Sequence, residues 1–281
     1  MSALQDSRAP SATARSGVPI EMRRVSKTFG EDSDQPFRAL GGISMSIAAG
    51  EFVSVVGPSG CGKSTLMLMV AGLLARSQGE IIVGGVPVTR PLTDVGIAFQ
   101  DHLLLEFRTA LDNVMLQADI RRLPRQAIEA RAKDLFEQLR LTAALKKYPR
   151  QLSGGMRQRV SLVRALVHDP SVIMMDEPFG ALDALTRLQV RMDLEALWLR
   201  RRPTVLFITH SVEEAVGLSD RIFVMSPSPG EVVDEIRVDL PRPRPVVLGD
   251  APQFGAYVDR IYRQFERMGV LHSVGASGAR E

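Results

Sequence analysis

The stretch Phe52-Val53-Ser54-Val55-Val56-Gly57-Pro58-Ser59-Gly60-Cys61-Gly62-Lys63-Ser64-Thr65 decides the fold. From Gly57 to Ser64 it fills every fixed position of the phosphate-loop pattern G-x-x-x-x-G-K-[ST]. The apolar run before it reads as a buried strand, and Leu66-Met67-Leu68-Met69-Val70-Ala71 after it reads as a helix. That context matters because the loop works only between a strand and a helix N-terminus. Its glycines let backbone N–H groups turn toward phosphate oxygens, and the helix dipole adds partial positive charge there. Lys63 is expected on the β- and γ-phosphates and the Ser64 hydroxyl on Mg²⁺. The pattern implies nucleotide binding.

Further apolar runs occur at Ile81–Val83, Val95–Phe99, Val172–Met175, Val205–Thr209 and Ile222–Met225. Several are bracketed by helical patterns, which predicts an α/β fold with a largely parallel sheet. Between Gln100 and Arg159 helical spacing takes over. Ile128, Ala132, Leu135, Phe136 and Leu139 fall on one helical face, bracketed by Pro124 and Pro149. This piece, about 101–158, reads as an inserted helical subdomain.

Val172-Ile173-Met174-Met175 runs into Asp176-Glu177-Pro178. Two adjacent carboxylates at the end of a buried strand emerge where open α/β folds bind ligands. Asp176 is placed to hold Mg²⁺ with Ser64, and Glu177 to polarise water as a general base. Leu152-Ser153-Gly154-Gly155-Met156-Arg157-Gln158-Arg159 sets a serine and two glycines before a helix expected from about Met156 to Val167. Ser153 and the Gly155 N–H can grip a γ-phosphate there, although a serine in that place also serves as a plain helix cap.

Taken in order, these motifs resemble those of the ATP-binding cassette (ABC) ATPases, with Met156 where glutamine is commoner. The resemblance runs from about Ile20 to Arg244. It implies a phosphate-loop NTPase core with an antiparallel β portion near the N-terminus, residues 19–240 forming the ATPase domain, with ATP and Mg²⁺ as ligands. It also implies that Ser153, Gly154 and Gly155 contact the ATP held by a second copy of the chain, in a head-to-tail dimer. Gln100 matches the glutamine that senses Mg²⁺ and attacking water, and His210 the histidine that bonds the γ-phosphate. Gly180-Ala181-Leu182-Asp183 matches the loop that crosses the dimer interface, although Asp183 also reads as an N-cap for Ala184–Arg202. Phe29 holds the position that stacks on adenine, with Phe37 a competing candidate. Alone, Gln100 or His210 would read as a solvated side chain at a strand end.

Phe99-Gln100-Asp101-His102, Arg108-Thr109-Ala110-Leu111-Asp112-Asn113-Val114 and Val238-Asp239-Leu240-Pro241-Arg242-Pro243-Arg244 resemble the cytoplasmic subunits of importers for nitrate, sulfonates and taurine. This implies a membrane permease, an external solute-binding protein and a peripheral site on the cytoplasmic face of the inner membrane. One departure is Leu105-Glu106-Phe107, where that subgroup usually has Leu-Pro-Trp. The alternative is a soluble ABC ATPase of the iron–sulfur assembly type. A chromosome or repair ATPase would carry coiled coils between phosphate loop and signature, and no sustained heptads occur there.

The 281 residues suffice for one large α/β domain. A net charge of +3 with interspersed signs implies no nucleic-acid partner. No apolar run approaches the roughly 18–20 residues needed to span a bilayer. Residues 1–18, rich in Ser, Ala and Arg, read as a disordered tail. The stretch 241–281 reads as a Pro/Arg linker, extended because each proline disfavours helix in the residue before it, and then an amphipathic helix. That helix either binds a partner or packs its stripe on its own domain. Cys61, the single cysteine, sits at a helix N-terminus, a setting expected to acidify its thiol so that alkylation blocks hydrolysis.

Overall fold

The computed structural model describes residues 17–180, 182–245 and 252–271. Nearly all of the expected N-terminal tail, together with Ala181 and His272, lies outside the described residues. β1 (Ile20–Phe29) and β2 (Phe37–Ile47) form an antiparallel ribbon. β3 (Phe52–Val56) then leads through the phosphate loop into α1 (Lys63–Val70). β4 (Gln78–Val83) returns antiparallel to β1 and is followed by the short β5 (Val86–Pro87). The chain continues through β6 (Val95–Ala98), α2 (Ala110–Arg121), α3 (Arg125–Gln138) and α4 (Gly154–Leu166). After these come β7 (Val172–Asp176), α5 (Ala184–Arg201), β8 (Thr204–Thr209), α6 (Val212–Leu218), β9 (Arg221–Met225), β10 (Val232–Arg237) and α7 (Pro252–Arg267).

Every residue of β3, β7 and β8 is buried. Strands without a wet face need cover on both sides, which a parallel sheet between other layers provides. The six-stranded sheet has the order β10-β9-β3-β8-β7-β6, parallel from β9 to β6 with β10 antiparallel at one edge. One face packs on α1 and on the four-stranded sheet β2-β1-β4-β5, through Val53, Val55, Leu206, Ile20, Ile43 and Leu66. The other packs on α2 to α5, through Phe52, Phe207, Phe136, Val163 and Trp198. Phe52 meets Trp198 edge-on at 5.6 Å between ring centroids, and Phe179 meets Phe207 at the same distance.

Three expectations change. Ile81–Val83 belongs to the antiparallel sheet, because β4 pairs with β1 and not with a parallel neighbour. α4 starts at Gly154, not near Met156, because the Ser153 hydroxyl accepts the Met156 N–H and pulls both glycines into the first turn. Finally, the segment 241–245 is no free linker. Arg244 is 4% exposed, and its guanidinium bonds the carbonyls of Val216 and Ser219. Arg242 spans Glu195 at 2.8 Å and Asp220 at 2.9 Å, and lies 4.4 Å from the Trp198 ring centroid. Beyond it, α7 packs Phe254, Ile261 and Phe265 onto Val216, Val224 and Ile236, so its apolar stripe is used within its own chain.

Candidate active site

The carboxyl ends of β3, β7 and β8 open at one edge of the sheet, where open α/β folds form ligand crevices. β3 runs directly into Gly57, Pro58, Ser59, Gly60, Cys61 and Gly62, and Lys63, Ser64 and Thr65 begin α1. Gly62 caps that helix at φ +95°, and a Cβ there would lie 2.6 Å from Leu40 Cδ2. A residue with a side chain would meet both the left-handed backbone and Leu40. Lys63 is 6% exposed. Its ammonium donates to the carbonyl oxygens of Gly57 and Pro58, both at 2.9 Å, tying the head of the loop to the first turn of α1.

The Ser64 side chain interacts with the carboxyl of Asp176, the last residue of β7. Burial raises the Asp176 carboxyl above its usual range and the neighbouring Glu177 charge adds to this, while the Ser64 side chain and Lys63 pull the other way. A hydroxyl and a buried carboxylate are hard oxygen donors of the kind Mg²⁺ takes when phosphates and water complete its shell. No cluster of three or more His, Cys, Asp or Glu able to hold a metal occurs among the described residues.

Glu177 has φ +45°, rare for a residue with a side chain. Its N–H donates to Ile208 O at 2.8 Å and its carbonyl accepts from Gly180 N at 3.2 Å, which pins the turn. The turn carries the carboxylate to a meeting point of three strand ends. Gln100, after β6, donates its Nε2 to Glu177 Oε2 at 3.3 Å. His210 Nδ1, after β8, lies 3.1 Å from the same oxygen. Backbone conformations this costly persist where surrounding structure holds them, often at functional sites.

Ser153, Gly154 and Gly155 form a separate group on α4. Ser153 is exposed, and a Cβ on Gly155 would lie 2.8 Å from Leu182 Cδ2, so the signature turn packs on the loop before Asp183. Asp183 is the N-cap of α5, its side chain accepting from Thr186 N at 3.0 Å, and the Thr186 side chain, with that N–H second, holds its carboxyl below the usual range. Phe29 ends β1 and Phe37 opens β2 directly opposite, so the two candidate stacking rings are cross-strand partners. Both are exposed, and Lys27 Nζ lies 5.0 Å from the Phe29 centroid.

The Cys61 thiol contradicts the expectation of reactivity. It is 0% exposed, and burial raises its pKa, with Lys63 opposing only in part. Cys61 belongs to the buried apolar cluster between the two sheets.

Some contributors had no legible signal. Gln158, 2% exposed, donates to Phe99 O at 3.2 Å, and Arg164 donates to Leu103 O at 2.7 Å and His102 O at 3.0 Å. One face of α4 therefore holds the segment carrying Gln100. Asn113 is fully buried and ties down the following loop. Its amide bonds the Leu105, Arg108 and Thr109 carbonyls, and its oxygen accepts Leu105 N at 2.7 Å. Phe107 stands out from that loop, 75% exposed.

A phosphate loop, a strand-end acid pair and a polar cluster closing on the second acid define a nucleotide-hydrolysing cassette. The family model described as ABC transporter matches residues 40–180. An aliphatic sulfonates import ATP-binding protein of Bacillus cereus is 39% identical over 91% of this chain and 99% of its own length. An ABC transporter ATP-binding protein of Methanocaldococcus jannaschii is 40% identical over 82% of this chain and 86% of its own. Among solved structures, the dimeric cassette MJ0796 superposes with a TM-score of 0.71 at 30% identity, covering 79% of this chain and 99% of that one. The same cassette in a post-hydrolysis state bound to ADP and Pi gives 0.70 at 29% identity, with the same coverage. The chain belongs to the ABC transporter family, and it is an ATP-binding, ATP-hydrolysing member.

Proposed function

We propose that this chain powers import of an aliphatic sulfonate or a related small anion such as nitrate, from the cytoplasmic face of the inner membrane. It works with a separate permease and an external solute-binding protein. Similarity along nearly the whole length of a sulfonate import subunit supports the solute class. No helix among the described residues is long and apolar enough to cross a membrane, in keeping with a separate spanning partner. Phe107, exposed on a loop that Asn113 holds rigid, suits contact with that partner.

The convergence of Gln100 and His210 on the Glu177 carboxylate, beside Ser64 and Asp176, carries the hydrolytic reading. The loop backbone from Gly57 to Gly62, with Lys63, Ser64 and Thr65, cradles the ATP phosphates, and Phe29 stacks on the base. Mg²⁺, held by Ser64, Asp176 and Gln100, would neutralise charge on the β- and γ-phosphates. Glu177 accepts the proton of the attacking water, whose position Gln100 and His210 fix. Ser153, Gly154 and Gly155 of a second copy close over the γ-phosphate, with Asp183 crossing the interface. Bringing two chains onto one phosphate makes the γ-phosphate the differential contact, lost on hydrolysis.

Reconstitution in proteoliposomes with its permease and binding protein tests this. Wild-type ATPase activity should rise when the binding protein carries an aliphatic sulfonate. Glu177→Gln should bind ATP yet lose turnover by about a thousandfold, the scale of removing a general base with its electrostatic setting. Turnover near wild type in that variant would exclude Glu177 as base, and stimulation only by unrelated solutes would exclude the solute class.

A further inference from the structure

His210 is flanked by a closed ring of polar contacts. Thr209, 1% exposed, donates its hydroxyl to Glu214 Oε2 at 2.6 Å. The Glu214 N–H donates to Ser211 Oγ at 3.2 Å, and the Ser211 N–H donates back to Thr209 Oγ1 at 3.0 Å. The ring fixes the backbone on both sides of His210 and caps α6 at the same time. Glu214 is 8% exposed on a helix whose neighbours Val212, Ala215 and Val216 are apolar core.

Its other oxygen, Oε1, leaves the ring and lies 3.7 Å from Arg187 Nε on α5. Arg187 in turn donates its Nη2 to the carbonyl of Leu182 at 3.1 Å. Leu182 directly precedes Asp183, and its methyl packs on Gly155. One carboxylate and one guanidinium thus join the strand end bearing His210 to the loop bearing Asp183 and to the signature turn. The Arg187 side chain is 40% exposed, so this ionic contact adds little to stability. Both of its ends reach residues placed at nucleotide.

We propose that Glu214 and Arg187 are positioning residues that fix the Asp183 loop relative to His210, so that a chain's own ATP site and the loop it offers to the partner's site move together. This rests on the composite-site reading above. Glu214→Gln keeps the volume and an acceptor for Thr209 but removes the charge that holds Arg187. Arg187→Lys keeps the charge but lacks the fork that reaches Glu214 and Leu182 O together.

The test is steady-state ATPase on the full chain for Glu214→Gln, Arg187→Met, Arg187→Lys and the Glu214→Gln/Arg187→Met pair, with melting temperature and ATP binding as controls for folding. Each single variant should lower kcat by about ten- to a hundredfold, with KM for ATP nearly unchanged, as misplacing catalytic groups does. The double variant should be no worse than the weaker single, because the two act as one link. In a Glu177→Gln background, ATP should drive dimerisation, and adding Glu214→Gln should weaken that dimer. Wild-type kcat in Glu214→Gln, or losses that multiply in the double variant, would overturn the link. If Glu214→Gln fails to fold, normal kcat in Arg187→Lys and Arg187→Met overturns it equally. Failure of Glu177→Gln alone to dimerise with ATP would overturn the composite site itself, and the link with it.

Discussion

At the scale of single residues, the site depends on side chains whose chemistry is plain and on backbone states that are not. Glu177 is recognisable because an acid follows an acid at the end of an apolar run downstream of a phosphate loop. Its φ of +45°, which aims the carboxylate at Gln100 and His210, has no compositional mark, since no glycine or asparagine announces the turn. Cys61 shows the opposite failure. Helix-terminus position argues for an acidic thiol, yet which way the side chain points decides, and it points into the core. Native protein should therefore resist iodoacetamide at neutral pH and keep its ATPase activity, whereas protein unfolded in guanidinium labels fully. Fast labelling of the native thiol, followed by mass spectrometry, would contradict the buried placement.

At the scale of elements, the apolar strands and the stripe of α3 were legible because burial writes period and length into sequence. Ile128, Ala132, Leu135 and Phe136 are indeed the buried face of that helix. The segment 241–245 was legible only as extended chain. Proline dictates backbone shape, but the partners of Arg242 and Arg244 come from α5, α6 and the turn between α6 and β9, far off in sequence. The strap brings guanidiniums to the C-terminal end of α6, where they meet terminal carbonyls and the negative end of the helix dipole. Arg242→Met should remove the guanidinium paired with the buried Glu195 carboxylate, which keeps the Arg244 N–H at 3.0 Å, and cost about 2 kcal/mol. Chemical denaturation should show a lower midpoint with an unchanged m value. An unaltered midpoint would mean that the strap contributes nothing to stability.

At the scale of the whole molecule, two sheets and a helical segment enclose cores on both faces of one parallel sheet. That arrangement was legible as a class, whereas the edge strand β10 and the pairing of β4 with β1 were not, since strand partners are set by long-range contact and not by local pattern. The helical segment is joined to the core partly by His168, buried with Nε2 3.2 Å from Val95 O. Burial, with Arg121 adding, holds its pKa down to about 4 from 6.5. The folded state then binds fewer protons than the unfolded between those values, so stability rises with pH through this window and is lost as pH falls from about 6.5 toward 4. The contribution reaches up to about 3 kcal/mol, and His168→Gln should flatten that acid limb in urea melts taken across the range. An unchanged limb would place the acid sensitivity elsewhere.

In the proposed mechanism two chains complete each site, Glu177 from one and Ser153 from the other. The most direct check is ATPase activity per milligram of protein as the protein is diluted. It should fall with dilution, in step with loss of the dimer. Constant specific activity down to concentrations at which the protein sediments as a monomer would contradict the account.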